Sequence, residues 1–205
     1  MGMYLALAAV SEATIERLHE DPALLWQLVA PGEPELVAKA RPPAWRPGLI
    51  ARLFGRGAPA EAAPPPPAPL VLRGGEGEIA NLDKAWHGLH YLLTGTAWEG
   101  DPPLNLLLAG GRKLDNRDAD SIQAHTLSPA ETRAAADALR GMSDDALRAR
   151  FAPDEMMRLE IYPEIWDRDP AEDDTLGWLL DAAGQLRDAL DTAVGQGHGL
   201  LVTVG

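Results

Sequence analysis

The 205-residue chain contains no cysteine. This absence excludes a disulfide framework, a thiolate nucleophile and any zinc or iron–sulfur site that is ligated by cysteine. A protein without disulfides suits a reducing compartment, so we expect a cytoplasmic location.

Basic residues are also scarce, because 18 Lys and Arg stand against 31 Asp and Glu, for a net charge of −13. A protein that wraps nucleic acid needs clustered Lys and Arg to neutralise phosphates, so the composition excludes that class. Residues 81–205 hold 22 of the acidic and 11 of the basic residues, and therefore carry most of the negative charge. Such a surface suits water, cations or a basic partner protein.

No apolar run approaches the roughly 20 residues that are needed to cross a bilayer. The most apolar segment, Met1–Val10, lacks the basic start of a secretory signal and favours a buried strand. Ala6 stands where a myristoylation signal has Ser or Thr. We therefore expect neither a membrane span nor an anchor.

Residues 33–77 are rich in proline and arginine and interrupt the domain as an insertion or linker. Its basic residues interleave with apolar ones: Lys39, Arg41, Arg46, Arg52 and Arg56 with Trp45, Leu49, Ile50, Leu53 and Phe54. Two interpretations stay open, namely a basic contact for a partner or anionic surface, and an insertion whose aromatic residues pack against the domain. We expect residues 58–69 to be its most mobile part.

The remaining pattern predicts an α+β fold. The apolar runs Met3–Val10 and Leu200–Val204 predict strands at the two ends of the chain, with another at Ile122–Thr126. A capping box at Ser128–Glu131 begins one helix, and apolar spacing over 176–194 predicts a long amphipathic one. We expect a helix-rich single domain, residues 1–205, around a small sheet that pairs the N- and C-terminal strands.

A further helix is predicted from Asn81 or Asp83 to Leu93, closed by Gly95. Asp83, His87 and His90 would share one side of it, which is compatible with a metal site or with a histidine general base. The alternative is structural: His90 packs at the core edge with its ring bonded to an oxygen, Asp83 caps the helix and His87 is solvated. Two histidines three apart do not make a metal motif, so we expect no metal and no cofactor.

Other chemical motifs are missing. The sequence has no nucleophile elbow, no Walker A loop and no dinucleotide-binding glycine pattern after a strand. The acidic clusters 115–120 and 167–174 lack the central glycine and distal glutamate of a calcium loop. Trp86, Trp98 and Trp166 could line a groove, but tryptophan in a domain of this size commonly serves packing.

Three segments together resemble the YfbM-like family of small bacterial proteins of unknown function. They are Met1-Gly2-Met3 at the start of a strand, LDKAWHGLHYLLTGT at 82–96, and LEIYP at 159–163 followed by Trp166. The resemblance spans roughly the first 20 residues and 82–205, and excludes the insertion. It implies an α+β fold, a bacterial source and no assigned activity. It points to these positions for testing: Lys84, Trp86, His90, Thr94, Glu160, Tyr162 and Pro163.

Our leading hypothesis is a non-enzymatic binding or interaction protein, because polar and aromatic groups concentrate in two motifs while no catalytic set is complete. The candidate binding residues are Lys84, Trp86, His90, Thr94, Tyr162 and Trp166. The partner is a protein or a small ligand. In one specific version, the acidic body neutralises a basic partner, as an immunity protein blocks a toxin.

The alternative hypothesis is a small hydrolase or metal-dependent enzyme that uses His90 with Asp83 or Glu160. Histidine is the side chain that titrates near neutral pH and often serves as the general base. This hypothesis expects His90 and Glu160 within hydrogen-bond reach, directly or through one water, in a concave and partly exposed site.

Overall fold

The computed structural model describes residues 2–40, 68–115 and 122–205. The expectation of mobility over 58–69 and both interpretations of the basic insertion fall almost wholly outside these residues. So does most of the acidic cluster at 115–120.

A five-stranded antiparallel sheet runs through the domain, in the order β2-β1-β5-β4-β3. The strands are β1 Leu5–Val10, β2 Gly77–Asn81, β3 Arg112–Lys113, β4 Gln123–Leu127 and β5 Gly199–Val204. The terminal strands β1 and β5 pair from Leu5 opposite Val204 to Val10 opposite Gly199. This confirms the expected pairing of the two chain ends.

Helices surround the sheet, as expected for an α+β fold. In the described part of the chain they are α1 Glu12–Glu20, α2 Trp26–Val29, α3 Pro34–Ala40, α4 Trp86–Thr94, α5 Pro129–Arg140, α6 Asp144–Arg148, α7 Pro153–Arg158 and α8 Thr175–Gly195. Short 3-10 turns at Pro22–Leu25 and Asp83–Ala85 precede α2 and α4.

The predicted capping box forms at α5, and α8 carries a cap of its own. At α5 the Ser128 hydroxyl accepts a hydrogen bond from the Glu131 backbone, while the Glu131 carboxylate accepts one from the Ser128 backbone. At α8 the Asp174 carboxylate accepts the Gly177 N–H at 2.8 Å. These bonds satisfy backbone donors that a helix start leaves without partners. Helix α8 then buries its apolar stripe in the main core, in contact with α5 and the sheet.

Helix α4 is buried on every side, because each residue from Trp86 to Leu93 is inaccessible to solvent. Of the two expected starts, Asn81 is wrong because it ends β2, whereas Asp83 does begin the helical run. The first turn, Asp83–Ala85, is 3-10 and Asp83 has a left-handed φ of 47°, so α4 itself begins at Trp86. The expected end is confirmed, since Gly95 closes α4 with a φ of 76°. Glycine adopts this conformation without steric penalty.

Three other elements differ from the sequence expectations. Strand β2 was not expected, because its residues are largely half-exposed and polar, as an edge strand permits. Strand β3 is two exposed residues long and carries no apolar pattern. The segment Ile161–Trp166 was expected to be extended, but it is a series of turns. None of the helices in the described residues is long and apolar enough to cross a membrane.

The close packing of α4 against the 161–166 loop depends on Gly88. A Cβ at this position would stand 2.8 Å from Cζ2 of Trp166 and 2.9 Å from a methyl of Leu179. Gly184, in the exposed part of α8, would meet nothing within 4 Å. The two glycines thus differ in the room that is available for a side chain, but both have the low helix propensity of glycine.

We expect Gly88→Ala to destabilise the protein by about 1–3 kcal/mol, because overpacking forces side chains from their rotamers. Gly184→Ala should instead stabilise it by about 0.5–1 kcal/mol, the difference in helix propensity. Chemical denaturation of both variants measures the two effects. Equal stability of the two variants would contradict the packing of Trp166 on α4.

Candidate functional site

One side of the domain carries an exposed aromatic surface, which we call the Trp98 surface. It consists of Met3, Tyr4, Lys84, Trp98 and Tyr162, grouped around the buried Trp86. Three of the six large apolar side chains that stay exposed in the described residues belong to it, namely Met3, Tyr4 and Trp98. Clustered exposure of this kind marks interaction sites more often than isolated exposure does.

Trp86 is the centre of this surface. Its ring stacks on Tyr162 at 5.8 Å between centroids and lies 6.5 Å from the ring of Trp98. Its indole N–H donates to the Met3 carbonyl at 3.3 Å. Trp86 is only 1% exposed, and it therefore contacts the N-terminal segment and the two loops that carry Trp98 and Tyr162.

His87 ties these two loops together. Its Nδ1 accepts the backbone N–H of Tyr162 at 3.0 Å, so its Nε2 carries the ring proton and donates to the Ala97 carbonyl at 2.7 Å. Burial lowers the pKa of His87, and the Ala97 carbonyl opposes this only in part. The imidazole is thus a neutral, fully used bridge, and the interpretation of His87 as solvated is wrong.

The loop after α4 holds Trp98 in place. The Thr94 hydroxyl donates to the His90 carbonyl at 2.8 Å and accepts the Thr96 N–H at 3.2 Å, which fixes the turn at Gly95. The Ala97 bond to His87 follows, and the Trp98 ring then lies 4.2 Å from the His87 ring. Thr94, a predicted binding residue, shapes the loop.

Lys84 and Tyr162 present polar groups beside these rings. The Tyr162 hydroxyl accepts the Met3 N–H at 3.1 Å. The Lys84 ammonium lies 5.8 Å from the centre of the Tyr4 ring. Among the residues that the structure describes, no carboxylate forms an ion pair with Lys84.

Glu160 has a backbone role. It follows α7 with a left-handed φ of 53°. Its N–H bonds the Met157 carbonyl at 3.0 Å, and the Ile161 N–H bonds the Met156 carbonyl at 2.9 Å. These two bonds form a Schellman motif, in which glycine is the usual residue at the position of Glu160. The motif turns the chain so that Ile161 enters the core and Tyr162 reaches His87.

Trp166 is a packing residue rather than a surface residue. It is 1% exposed, stacks on Trp178 at 6.2 Å and donates its indole N–H to the Ile161 carbonyl at 2.6 Å. Its place over Gly88 anchors the loop that carries Tyr162. Trp166 was predicted to be a binding residue, but in the structure its role is to fix the position of that loop.

His90, the central residue of the enzyme hypothesis, is fully buried in α4. Neither of its ring nitrogens has a hydrogen-bond partner in the described part of the chain. Burial lowers its pKa to about 4, and the nearby Glu99 carbonyl, which does not reach hydrogen-bond geometry, opposes this shift. Asp83 and Glu160 are both exposed and neither bonds to His90. The structure does not bring this trio together.

Two pockets lie outside the Trp98 surface. One of about 510 Å³ is lined by residues of α2, α3 and 69–72. Another of about 460 Å³ lies beside Trp166, between the start of α7 and the start of α8. Among the described residues, no three His, Asp or Glu side chains are close enough to hold a metal ion.

The sequence analysis selected Trp86, Lys84 and Tyr162 of this surface as candidate binding residues, named Trp98 only as one that could line a groove, and missed Met3 and Tyr4. Met3 and Tyr4 read as the start of a buried strand, although β1 begins only at Leu5. Trp98 gave no periodic signal because it lies in a loop. The one usable signal was a large aromatic residue shortly after a helix-closing Thr-Gly-Thr.

Comparisons with known proteins agree with this fold. The model of a family described as a domain of unknown function (DUF1877) matches residues 1–203, in line with the YfbM-like resemblance. Among solved structures, a protein of unknown function, YfbM from Escherichia coli, is similar with a TM-score of 0.62 and 18% identity over 100% of both chains. The comparison with curated proteins finds no match.

The unpartnered ring of His90 makes stability depend on acid pH. The unfolded histidine takes up a proton below its ordinary pKa of 6.5, while the folded one does so only near a pKa of about 4. Within that window we expect His90 to lower the free energy of unfolding by about 1.4 kcal/mol per unit of falling pH. His90→Leu should remove this contribution of His90 to the pH dependence of the free energy of unfolding. Chemical denaturation of both proteins between pH 7.5 and pH 4.5 measures the difference.

At pH 7.5 the same variant should be at least as stable as the wild type, because it removes a buried polar group without a partner. His125→Leu is the matched control, since the buried His125 bonds the Leu106 carbonyl at 2.7 Å through Nε2. It should lose about 1–3 kcal/mol. A comparable loss in His90→Leu would show that its ring is hydrogen-bonded after all.

Glu160→Gly should stabilise the protein by about 0.5–1 kcal/mol, because glycine adopts the left-handed conformation without the strain of a side chain. Glu160→Ala keeps that strain and should not differ from the wild type by more than a few tenths of a kcal/mol. Thermal unfolding of the pair measures the difference. A destabilised Glu160→Gly variant would mean that the carboxylate itself has a structural partner.

Proposed function

The chain belongs to the DUF1877 family, whose function is unknown, and from that premise we propose that it is a non-enzymatic, cytoplasmic binding protein of bacteria. The contact face is the Trp98 surface. The ligand is a protein partner or a small molecule that covers the exposed aromatic rings.

A single observation carries this proposal: Trp98 is 58% exposed and yet held by its neighbours. Its ring rests against His87 at 4.2 Å, and its loop is bonded through Ala97 and Thr94. Trp and Tyr dominate the energetics of protein interfaces, where they bury large areas with few rotatable bonds. An indole that is already fixed in the free protein loses little entropy on binding.

The backbone around this surface supports the same proposal. Among the residues that the structure describes, three that are not glycine adopt left-handed φ values, namely Asp83, Glu160 and Glu164. They flank Lys84 on one segment and Tyr162 on the other. Strained conformations of this kind persist where the surroundings hold them, and they cluster at binding and catalytic sites.

The enzyme alternative draws no comparable support from the geometry. A general base must reach the proton that it removes. His90 is sealed in the core with no carboxylate bonded to it, and His87 has both nitrogens occupied by backbone groups. A metal-dependent reaction would likewise need ligands that converge.

Neutralisation of a basic partner is the specific version of the proposal. The pocket of about 460 Å³ beside Trp166 supports it, because Phe151 and Trp166 line it together with Asp154, Asp167 and Asp174. Arg168 also lines it, and its charge is paired with Asp173 at 2.6 Å. Asp174 already caps α8. Asp154 and Asp167 are exposed, and the described structure assigns them no hydrogen bond or ion pair.

The test is capture of partners from a lysate of the source organism, compared by quantitative mass spectrometry among folded variants. Trp98→Ala should lose at least tenfold of any specific partner, as for a hot-spot residue. Val71→Ser is the matched control, because Val71 is 85% exposed and does not belong to the Trp98 surface. It should retain the partner in full.

A second arm addresses the basic-partner version. If the pocket beside Trp166 holds a cationic partner, the double variant Asp154→Lys and Asp167→Lys should no longer capture it. Capture by the wild type should also weaken as the salt concentration rises. Identical protein sets from the wild type, Trp98→Ala and this charge-reversed variant would sink the proposal as a whole. Loss in Trp98→Ala alone would leave the surface and remove the basic-partner version.

A further inference from the structure

Two hydrogen-bond donors on the Trp98 surface point toward the same place. The Lys84 ammonium and the Tyr162 hydroxyl oxygen each lie 3.3 Å from the position at which a Cβ of Gly2 would stand. The same position lies 2.7 Å from the Lys84 Cε, so the Lys84 side chain packs directly over Gly2, where any larger residue would displace it. The two donors are therefore neighbours above Gly2, beside the aromatic rings.

Neither donor is used within the described part of the chain. The Tyr162 oxygen accepts the Met3 N–H, so its own proton remains available for donation, and no acceptor for it is present there. Lys84 is half-buried, and no ion pair satisfies it there. The one partner of its ammonium there is the Tyr4 ring, at 5.8 Å from the centroid.

The nearby carboxylates do not take the place of a ligand. Asp83 precedes Lys84, and Glu160 and Glu164 flank Tyr162, and all three are exposed. The Asp83 backbone N–H bonds the Asn81 side chain at 2.9 Å, which fixes the turn. In the described residues none of the three carboxylates forms an ion pair with Lys84. Their charges lower the local potential and therefore limit the affinity for an anion.

We propose that the Lys84 ammonium and the Tyr162 hydroxyl bind an oxyanion, a carboxylate or phosphate, carried by a ligand whose apolar part rests on Trp98. The proposal rests on the Trp98 surface as the contact face and names the chemistry of its ligand. Charge-assisted hydrogen bonds supply orientation, and the exposed indole supplies area. The ligand is thus amphipathic, with an anionic group and an apolar group.

The test is a nuclear magnetic resonance titration of the folded protein with inorganic phosphate, phenyl phosphate, a benzoate and a phenyl trimethylammonium salt. The backbone signals of Lys84 and Tyr162 and the indole signal of Trp98 are followed. Phenyl phosphate should bind more tightly than inorganic phosphate, and the cationic compound should not bind. Benzoate against phenyl phosphate separates a carboxylate source from a phosphate source.

Adjacent substitutions should act in opposite directions. Lys84→Met should weaken phenyl phosphate binding about tenfold, the loss of one charge-assisted hydrogen bond. Lys84→Arg should restore most of it. Asp83→Asn, which tolerates the same left-handed backbone, should strengthen binding several-fold by removing a neighbouring negative charge. A stabilised fold without these changes in affinity would show a merely structural role.

Gly2→Ala and Trp98→Ala separate the two halves of the proposal. Gly2→Ala places a methyl where it would meet the Lys84 Cε at 2.7 Å, so the ammonium must move and binding of inorganic phosphate should be lost. Trp98→Ala should leave inorganic phosphate unchanged and remove the advantage of phenyl phosphate. Binding of neutral aromatic compounds at Trp98, with no response to any anion, would overturn the oxyanion site and leave the proposed contact face intact. An anion that shifts signals equally in wild type and Lys84→Met would also overturn it.

Discussion

The burial of α4 on every side is the constraint on which the rest of this domain depends. A helix in this position must be covered by chain from several directions, and any polar group on it must be satisfied inside the protein or remain without a partner. His87 and His90 show the two outcomes. His87 finds backbone partners on two loops and so fixes both, whereas His90 is held neutral in an apolar setting. The loops that cover α4 are the same loops that form the Trp98 surface, so the site follows from the packing of the core.

Local signals were sufficient where the structure is local. The capping box at Ser128, the apolar spacing of α8 and the glycine that closes α4 each depend on neighbours within a few residues. The terminal strands were also predictable, because both are continuous apolar runs that are covered on two faces. Strand β2 was not, since its pairing with β1 supplies what its own half-exposed residues lack.

The site needed information of another kind. The bond between His87 and Tyr162 joins residues 75 positions apart, and no pattern near His87 reports it. The spacing of Asp83, His87 and His90 assumed a helix that began too early, and a left-handed residue removed Asp83 from the set. The family resemblance singled out Lys84, Trp86 and Tyr162 as positions to test, and the structure places them on one surface. It could not tell that Trp166 would lie in the core and Trp98 at the surface, because both follow turns and neither has a periodic context.

The charge around the Trp98 surface affects which molecules can cover its exposed rings. An exposed indole, tyrosine and methionine around a buried tryptophan form an association hazard unless a ligand covers them. The acidic body limits self-association by repulsion, and it also repels acidic partners at long range. A cation placed beside the rings reverses that preference at short range. Lys84 forms no ion pair in the described residues, and its side chain packs over Gly2, where any larger residue would displace it. The proposed preference for an anion thus depends on the glycine at position 2 as well as on the two donors.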